Sequence, residues 1–411
     1  MFAIPVLYAF WGLIQGVTAF SRPAWADPRI AIVVPKLKSD FANAKGVWAS
    51  WDAGYPKEWG SEDFHHQFNE PDPEKYMYGV VTEDEKYLAM FNASHVRFID
   101  LDANTTALTF NLGVPTGLIG TGLTVRSVPG GGYDVLSSGA VGVYDDASVT
   151  IRRRLSPDLK SIGDPTYYEG GIGSISKQGK LVTRYGYLYD LEARNSSSGE
   201  LEGRPVVTDM SFSPDGVHLA TVNWQTEAAD LWNATSGKKI FQFPQTKAQN
   251  WDTRFSPDGK YVAITLGSSN NTVQIYSLDN LTAEPTYIRG FNYWPRSIEW
   301  SPDSSAIAVG DVGRMRIWKM PQAELWQTWE AEGSGNGFLE LSGLAWLDKG
   351  KKITFMFREG RYMYDFQRNT KWWWIPRATD HTWGGGDIFF LSKKGLVATK
   401  DGDDLVRFWK I

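Results

Sequence analysis

No cysteine occurs among the 411 residues of the chain. A thiolate nucleophile and thioether attachment of haem are thereby excluded. The absence does not fix a compartment, because closure of a large ring can restrain a fold where disulfides otherwise would. Histidine is also scarce, at five residues, and no spacing of histidines and carboxylates matches a metal site. There is no Gly-x-Ser-x-Gly elbow, no phosphate-cradling glycine loop ahead of a helix, no heptad pattern and no low-complexity tract. Neither is there a basic excess: 42 Lys and Arg stand against 47 Asp and Glu, for a net charge of −5. That balance argues against a nucleic-acid partner, which wants a basic footprint. No cofactor and no metal are expected.

What is present is repetition. Residues 209–320 carry SFSPDGVHLATV, RFSPDGKYVAITL and EWSPDSSAIAVG, with Ser213, Ser256 and Ser301 spaced 43 and then 45 residues apart. In each copy a short strand runs into Ser-Pro-Asp, a turn in which Pro presets φ and Asp bonds its own backbone. A second strand of small and branched residues follows, and then a third ending in an aromatic (Trp232, Tyr276, Trp318). Period and pattern together resemble the WD40 family of β-propellers. The resemblance covers most of the chain and implies an all-β fold, a single propeller of four-stranded antiparallel blades. It names no activity, since propellers host unrelated functions.

Eight units are legible, with seven the alternative if unit three is an insertion. Unit one covers 78–113, unit two 123–155 and unit three 171–206. Units four to six are the clear repeats, unit seven is 344–377 and unit eight begins near Asp387. Unit two reads as LTVRSVP, YDVLSSG, VGVYDDA and VTIRRRL. Unit eight lacks an outer strand, and the apolar run at 29–35 is predicted to supply it and close the ring. One domain is therefore expected over 27–411, and a monomer.

Residues 1–26 form an apolar leader, read as a signal peptide or an uncleaved anchor. Six Asn-x-Ser/Thr sequons, at Asn92, Asn104, Asn195, Asn233, Asn270 and Asn280, exceed the roughly two expected by chance. Together they predict a secreted glycoprotein, with no membrane partner unless the leader is retained.

Strand order then assigns the loops, with strands a to d running from the centre outward. The a–b and c–d turns share one face, where the Ser-Pro-Asp turns, all read as a–b, and four sequons (Asn104, Asn195, Asn233, Asn280) fall. The b–c and d–a loops share the other and are rich in aromatic and hydrogen-bonding side chains. Candidate ligand-binding residues there are Trp59, Tyr168, Arg184, Trp224, Trp251, Asn292, Trp294, His381 and Trp383. Flat aromatics beside amides, arginines and carboxylates suit sugars or small polar ligands, and a protein partner is the other occupant. Against this stands packing: each tryptophan also suits a gap between blades.

Two function classes follow. The first is a binding module gripping a glycan, small molecule or protein. The second is an enzyme, because the architecture is similar to that of some secreted polysaccharide lyases acting on uronate-containing chains. Such chemistry needs a base, an acid and a carboxylate neutraliser. His65 or His66, Tyr293 and Arg296 are the candidates for those roles.

Overall fold

The computed structural model describes residues 61–67, 78–103, 105–142, 147–193, 199–205, 207–244, 249–267, 271–291, 293–295, 297–311, 314–330, 344–357, 360–367, 370–376, 388–391, 396–400 and 405–410. Among them are eight four-stranded antiparallel sheets, one short 3₁₀ turn and no α-helix. The chain is a β-propeller, and unit three is a blade rather than an insertion: Ile172–Ile175, Lys180–Thr183, Tyr187–Asp190 and Gly199–Glu200 form its sheet.

Burial grades outward within each sheet, which explains the residue choices. Strand b has neighbours on both edges and packed sheets on both faces, so it is buried along an unbroken run rather than on alternate residues. Tyr87–Phe91, Tyr133–Ala140 and Ala306–Asp311 are buried along their whole length. Strand d faces water, and Thr105–Asn111 and Lys239–Gln242 are mostly exposed. The first strands of successive sheets abut one another, Asp209–Phe212 against Asn250–Phe255 and that strand against Ser297–Trp300. They therefore form the inner wall of the array.

Tryptophans stitch neighbouring sheets. Fully buried Trp232 donates from Nε1 to Thr221 Oγ1 at 2.8 Å, so its one polar atom is satisfied in the core. Trp300 Nε1 donates to the Arg254 carbonyl at 3.3 Å, and Trp346 Nε1 to the Glu299 carbonyl at 3.1 Å. Each spans from one sheet to the sheet before it.

The a–b turns share one lock. Ser213, Ser256 and Ser301 each donate from Oγ to the aspartate two residues on, at 2.5, 2.6 and 2.6 Å. Each serine oxygen also accepts the backbone N–H five residues on, at 2.9 to 3.0 Å. Thr82, Asp84 and Tyr87 repeat the arrangement in sheet one. Each such bond contributes about 1 kcal/mol.

Three expectations are corrected. Strand d of sheet eight is Ser61–Gln67, which pairs antiparallel with Leu405–Lys410, so the place assigned to 29–35 is filled by a later segment. Residues 29–35 themselves lie outside the described residues. In sheet two the third strand is Val149–Leu155 and the fourth is Thr166–Glu169, so VTIRRRL holds the third place, assigned above to VGVYDDA. Its alternation mimics a strand, but the ladder of Tyr133–Ala140 is taken by VTIRRRL. Consequently the turn at Ser156-Pro157-Asp158 is c–d, and Ser-Pro-Asp is not confined to a–b turns.

Candidate functional site

On the face of the b–c and d–a connections, three aromatic rings gather above sheets four to six. Trp224 sits in the b–c turn of sheet four, which Asn223 braces by accepting the N–H groups of Gln225 and Thr226, both at 2.7 Å. Trp251 is the second residue of Asn250–Phe255, on the strand rather than ahead of it. Trp294 lies in the connection into sheet six, against the backbone of Gly267, where a Cβ would stand 2.8 Å from the indole. Ring centroids are 6.4 Å apart for Trp224 and Trp251, edge to face, and 6.3 Å for Trp251 and Trp294. All three side chains are half-buried, so each keeps part of its surface for a ligand. Tyr293 beside them is 49% exposed, while Arg184 and Tyr185 are exposed in the b–c turn of sheet three.

Next to the rings, on the inner wall, lies a cluster of ionisable groups. Arg254 Nη1 is 2.7 Å from Asp209 Oδ2 and 2.7 Å from Asp252 Oδ1, and donates to the Thr253 carbonyl at 2.7 Å. The Asp252 contact is electrostatic only: Oδ1 has no aligned donor, while Oδ2 accepts from the Ile298 N–H at 3.3 Å. Glu299, on strand a of sheet six, feels the same guanidinium. Two carboxylates thus contact one cation, and a third lies within its field. Burial pushes the Asp252 carboxyl well above its usual range, more than Arg254 lowers it, and Asp209 and Glu299 add repulsion. Glu299 is pushed up to about 7, again by burial and only partly offset by Arg254. For Arg254 burial alone would lower the pKa, but the carboxylates reverse this and raise it.

None of Asp209, Asp252, Arg254 and Glu299 stood among the sequence candidates. A signal was available. Aligned on Ser-Pro-Asp, Asp209 and Asp252 occupy the same repeat position, and so do Ser211, Arg254 and Glu299. Charges inside strand a, at alternating positions of an otherwise apolar repeat, mark an inner wall that faces no core.

Other candidates fall elsewhere. Tyr168 is 4% exposed on strand d of sheet two, accepts a hydrogen bond from Arg152 Nη1 at 3.1 Å and packs on Tyr189 at 4.9 Å. It is a packing residue between sheets two and three, because its segment is a strand rather than a loop. His65 and His66 lie on Ser61–Gln67, the outermost strand of sheet eight, and not in a connection of the face. The segment that carries the proposed lyase base is thus an outer strand rather than a loop of the face that holds Tyr293. Trp59, Asn292, Arg296, His381, Trp383, Asn104, Asn195 and Asn270 lie outside the described residues. Asn92 is 2% exposed, with Oδ1 accepting the N–H groups of Ser94 and His95, so it is not presented for glycosylation. Half-buried Asn233 and exposed Asn280 lie at or beside c–d turns, away from the aromatic mouth. Among the described residues no three His, Asp or Glu side chains are grouped to hold a metal ion.

A second ionic cluster joins sheets two and three. Asp134, with its side chain fully buried, accepts from Arg126 Nη2 at 2.6 Å, Arg152 Nε at 2.8 Å and Arg154 Nε at 2.9 Å. Glu192 pairs with Arg126 and Arg154 from the adjoining sheet. Burial alone would raise the Asp134 pKa, but the hydrogen bonds from Arg154, Arg152 and Arg126 outweigh it and hold the carboxyl below its usual value.

No family model matches the chain. The crystal structure of the Saccharomyces cerevisiae Sqt1, a WD40 propeller, is similar in fold: the TM-score is 0.62 at 12% identity, over 85% of this chain and 98% of that one. The transcriptional corepressor LEUNIG_HOMOLOG of Arabidopsis thaliana is 23% identical over 211 residues, 40% of this chain and 26% of that protein. The match thus spans about a quarter of that relative's length.

Proposed function

We propose that this WD40-like β-propeller is an interaction module whose partner, a segment of another protein, seats on the b–c and d–a face over sheets four to six. The observation that carries the reading is the joining of half-buried Trp224, Trp251 and Trp294 to an ionic cluster whose charges do not cancel. Aromatic rings left partly exposed beside desolvated charge are the usual makings of a binding hot spot. A glycan is the second reading. Partly exposed tryptophan faces favour it, whereas the net charge of the inner wall does not. Extracellular placement remains part of the proposal, resting on the leader-like 1–26 and on Asn233 and Asn280 at the far face. Endoglycosidase treatment of the secreted protein is expected to lower its apparent mass.

Photo-crosslinking tests the face. A benzoylphenylalanine is placed at Tyr293, 49% exposed on the proposed surface, or at Val217, 43% exposed in an a–b turn of the other. Discrete adducts are expected from the first position only, and Trp251→Ala should abolish them. Adducts from Val217 alone, or adducts indifferent to Trp251→Ala, would overturn the assignment.

A further inference from the structure

The inner wall beneath the aromatic mouth carries more carboxyl groups than cations. Asp209, Asp252 and Glu299 bring three carboxylates, and Arg254 is their shared cation. One nitrogen of that cation, Nη1, already serves Asp209, Asp252 and the Thr253 carbonyl, all at 2.7 Å. A further observation is independent of the charges. Ser211 lies two residues after Asp209 on the same strand, and so on the face that Asp209 turns toward Arg254. It is 9% exposed, and its Oγ has no hydrogen-bond partner. Asn250, 2% exposed at the start of the neighbouring strand, likewise has a carboxamide oxygen without a donor. Buried oxygens without donors are rare because each costs about 1–3 kcal/mol. Here they lie beside a surplus of carboxylates.

Resting on the interaction-module reading, we propose that this wall is a subsite for the cationic head of a lysine or arginine side chain in a basic peptide. The chemistry selects among ligands. An ammonium or guanidinium carries donors and no acceptor, and so suits a wall that offers carboxylates and an unpartnered hydroxyl. Its charge brings the cluster toward neutrality, and its stem passes Trp251 and its neighbours, whose faces attract cations. An acidic peptide meets repulsion from three carboxylates. A neutral sugar leaves the charge surplus where it was. The upward-shifted carboxyls agree with this: without a second cation, Asp252 and Glu299 resist ionising.

The test is a selection of short random peptides displayed on phage against the full chain, followed by titration of the synthetic winners. Four variants run beside the wild type. Trp251→Ala removes the mouth, and Asp252→Asn with Glu299→Gln removes charge at constant shape. Ser211→Lys supplies an internal ammonium, and Asp158→Asn changes an exposed acid in a c–d turn of the far face. Peptides containing Lys or Arg should be enriched. Affinity should fall at least about tenfold in the first three variants, near 1.4 kcal/mol, and not in the fourth. Thermal melting of Ser211→Lys, expected at or above the wild-type temperature, separates blockade from unfolding. Winners that need Trp251 but carry no basic residue, or that ignore the double variant and Ser211→Lys, would overturn the cation subsite and leave the interaction module standing. Winners indifferent to Trp251→Ala would overturn both.

Discussion

The two ionic clusters are built from the same residue types and differ in arithmetic. Around Asp134, three arginines face two carboxylates, and every Asp134 oxygen is spoken for by aligned N–H groups. Around Arg254, one arginine faces three carboxylates, and buried oxygens are left over. In the first the acid is held ionised, and in the second two acids are pushed toward protonation. A charged group closed on all sides by partners is a fastener. One left short of partners, as Asp252 Oδ1 is, has room in its bonding for a further donor.

The largest effect that would break this contrast is at Asp134. Asp134→Ala leaves three guanidinium groups without their common acceptor, and roughly 3–5 kcal/mol of stability should disappear in urea titration. A loss as small as that from Asp252→Asn would erase the distinction. Second is pH. Glu299 ionises at about 7 in the fold against 4.5 in the free chain, so the folded state binds the extra proton and wild-type stability falls as pH rises between those values. Glu299→Gln should therefore melt above the wild type at pH 8 and level with it near pH 4, in scans of Tm against pH. Asp134 runs the other way: its contribution is complete above the ordinary carboxylate range and fades as pH drops through its lowered value. Third comes a neutral reference, Ser301→Ala, which removes both bonds of one turn lock and should cost about 2 kcal/mol by the same melting assay. Smallest is Arg154→Gln. The Arg154 side chain is 41% exposed and solvent screens it, so less than about 1 kcal/mol should be lost, against a clearly larger loss for Arg152→Gln at 11% exposure.

Much of the fold was legible because its turns are chemical. Ser-Pro-Asp at 213, 256 and 301 marks the lock, and the buried b strands announce themselves as runs of small and branched residues. The errors share a physical cause. Outer strands face water, so hydropathy does not mark them. The apolar run at 29–35 looked a better strand than SEDFHHQ at Ser61–Gln67, yet SEDFHHQ pairs with Leu405–Lys410. In sheet two the same turn chemistry recurs at Ser156, two connections later than in the repeats, which displaced Tyr168 from strand to loop. The aromatic half of the site was visible as Trp224, Trp251 and Trp294. Its ionic half was not, because Asp252, Arg254 and Glu299 read as ordinary polar residues of a strand until adjoining sheets bring them together.

The pairing of Ser61–Gln67 with Leu405–Lys410 has a consequence for biosynthesis. The strand made early must wait while roughly three hundred and forty residues are translated before its hydrogen-bonding partner exists, a very non-local contact. Until then sheet eight cannot form, and the nascent chain carries an unmated edge at each extremity. A ribosome stalled shortly before Leu405 would hold a set of finished leaves with no clasp, a natural client for chaperones that shield bare strands.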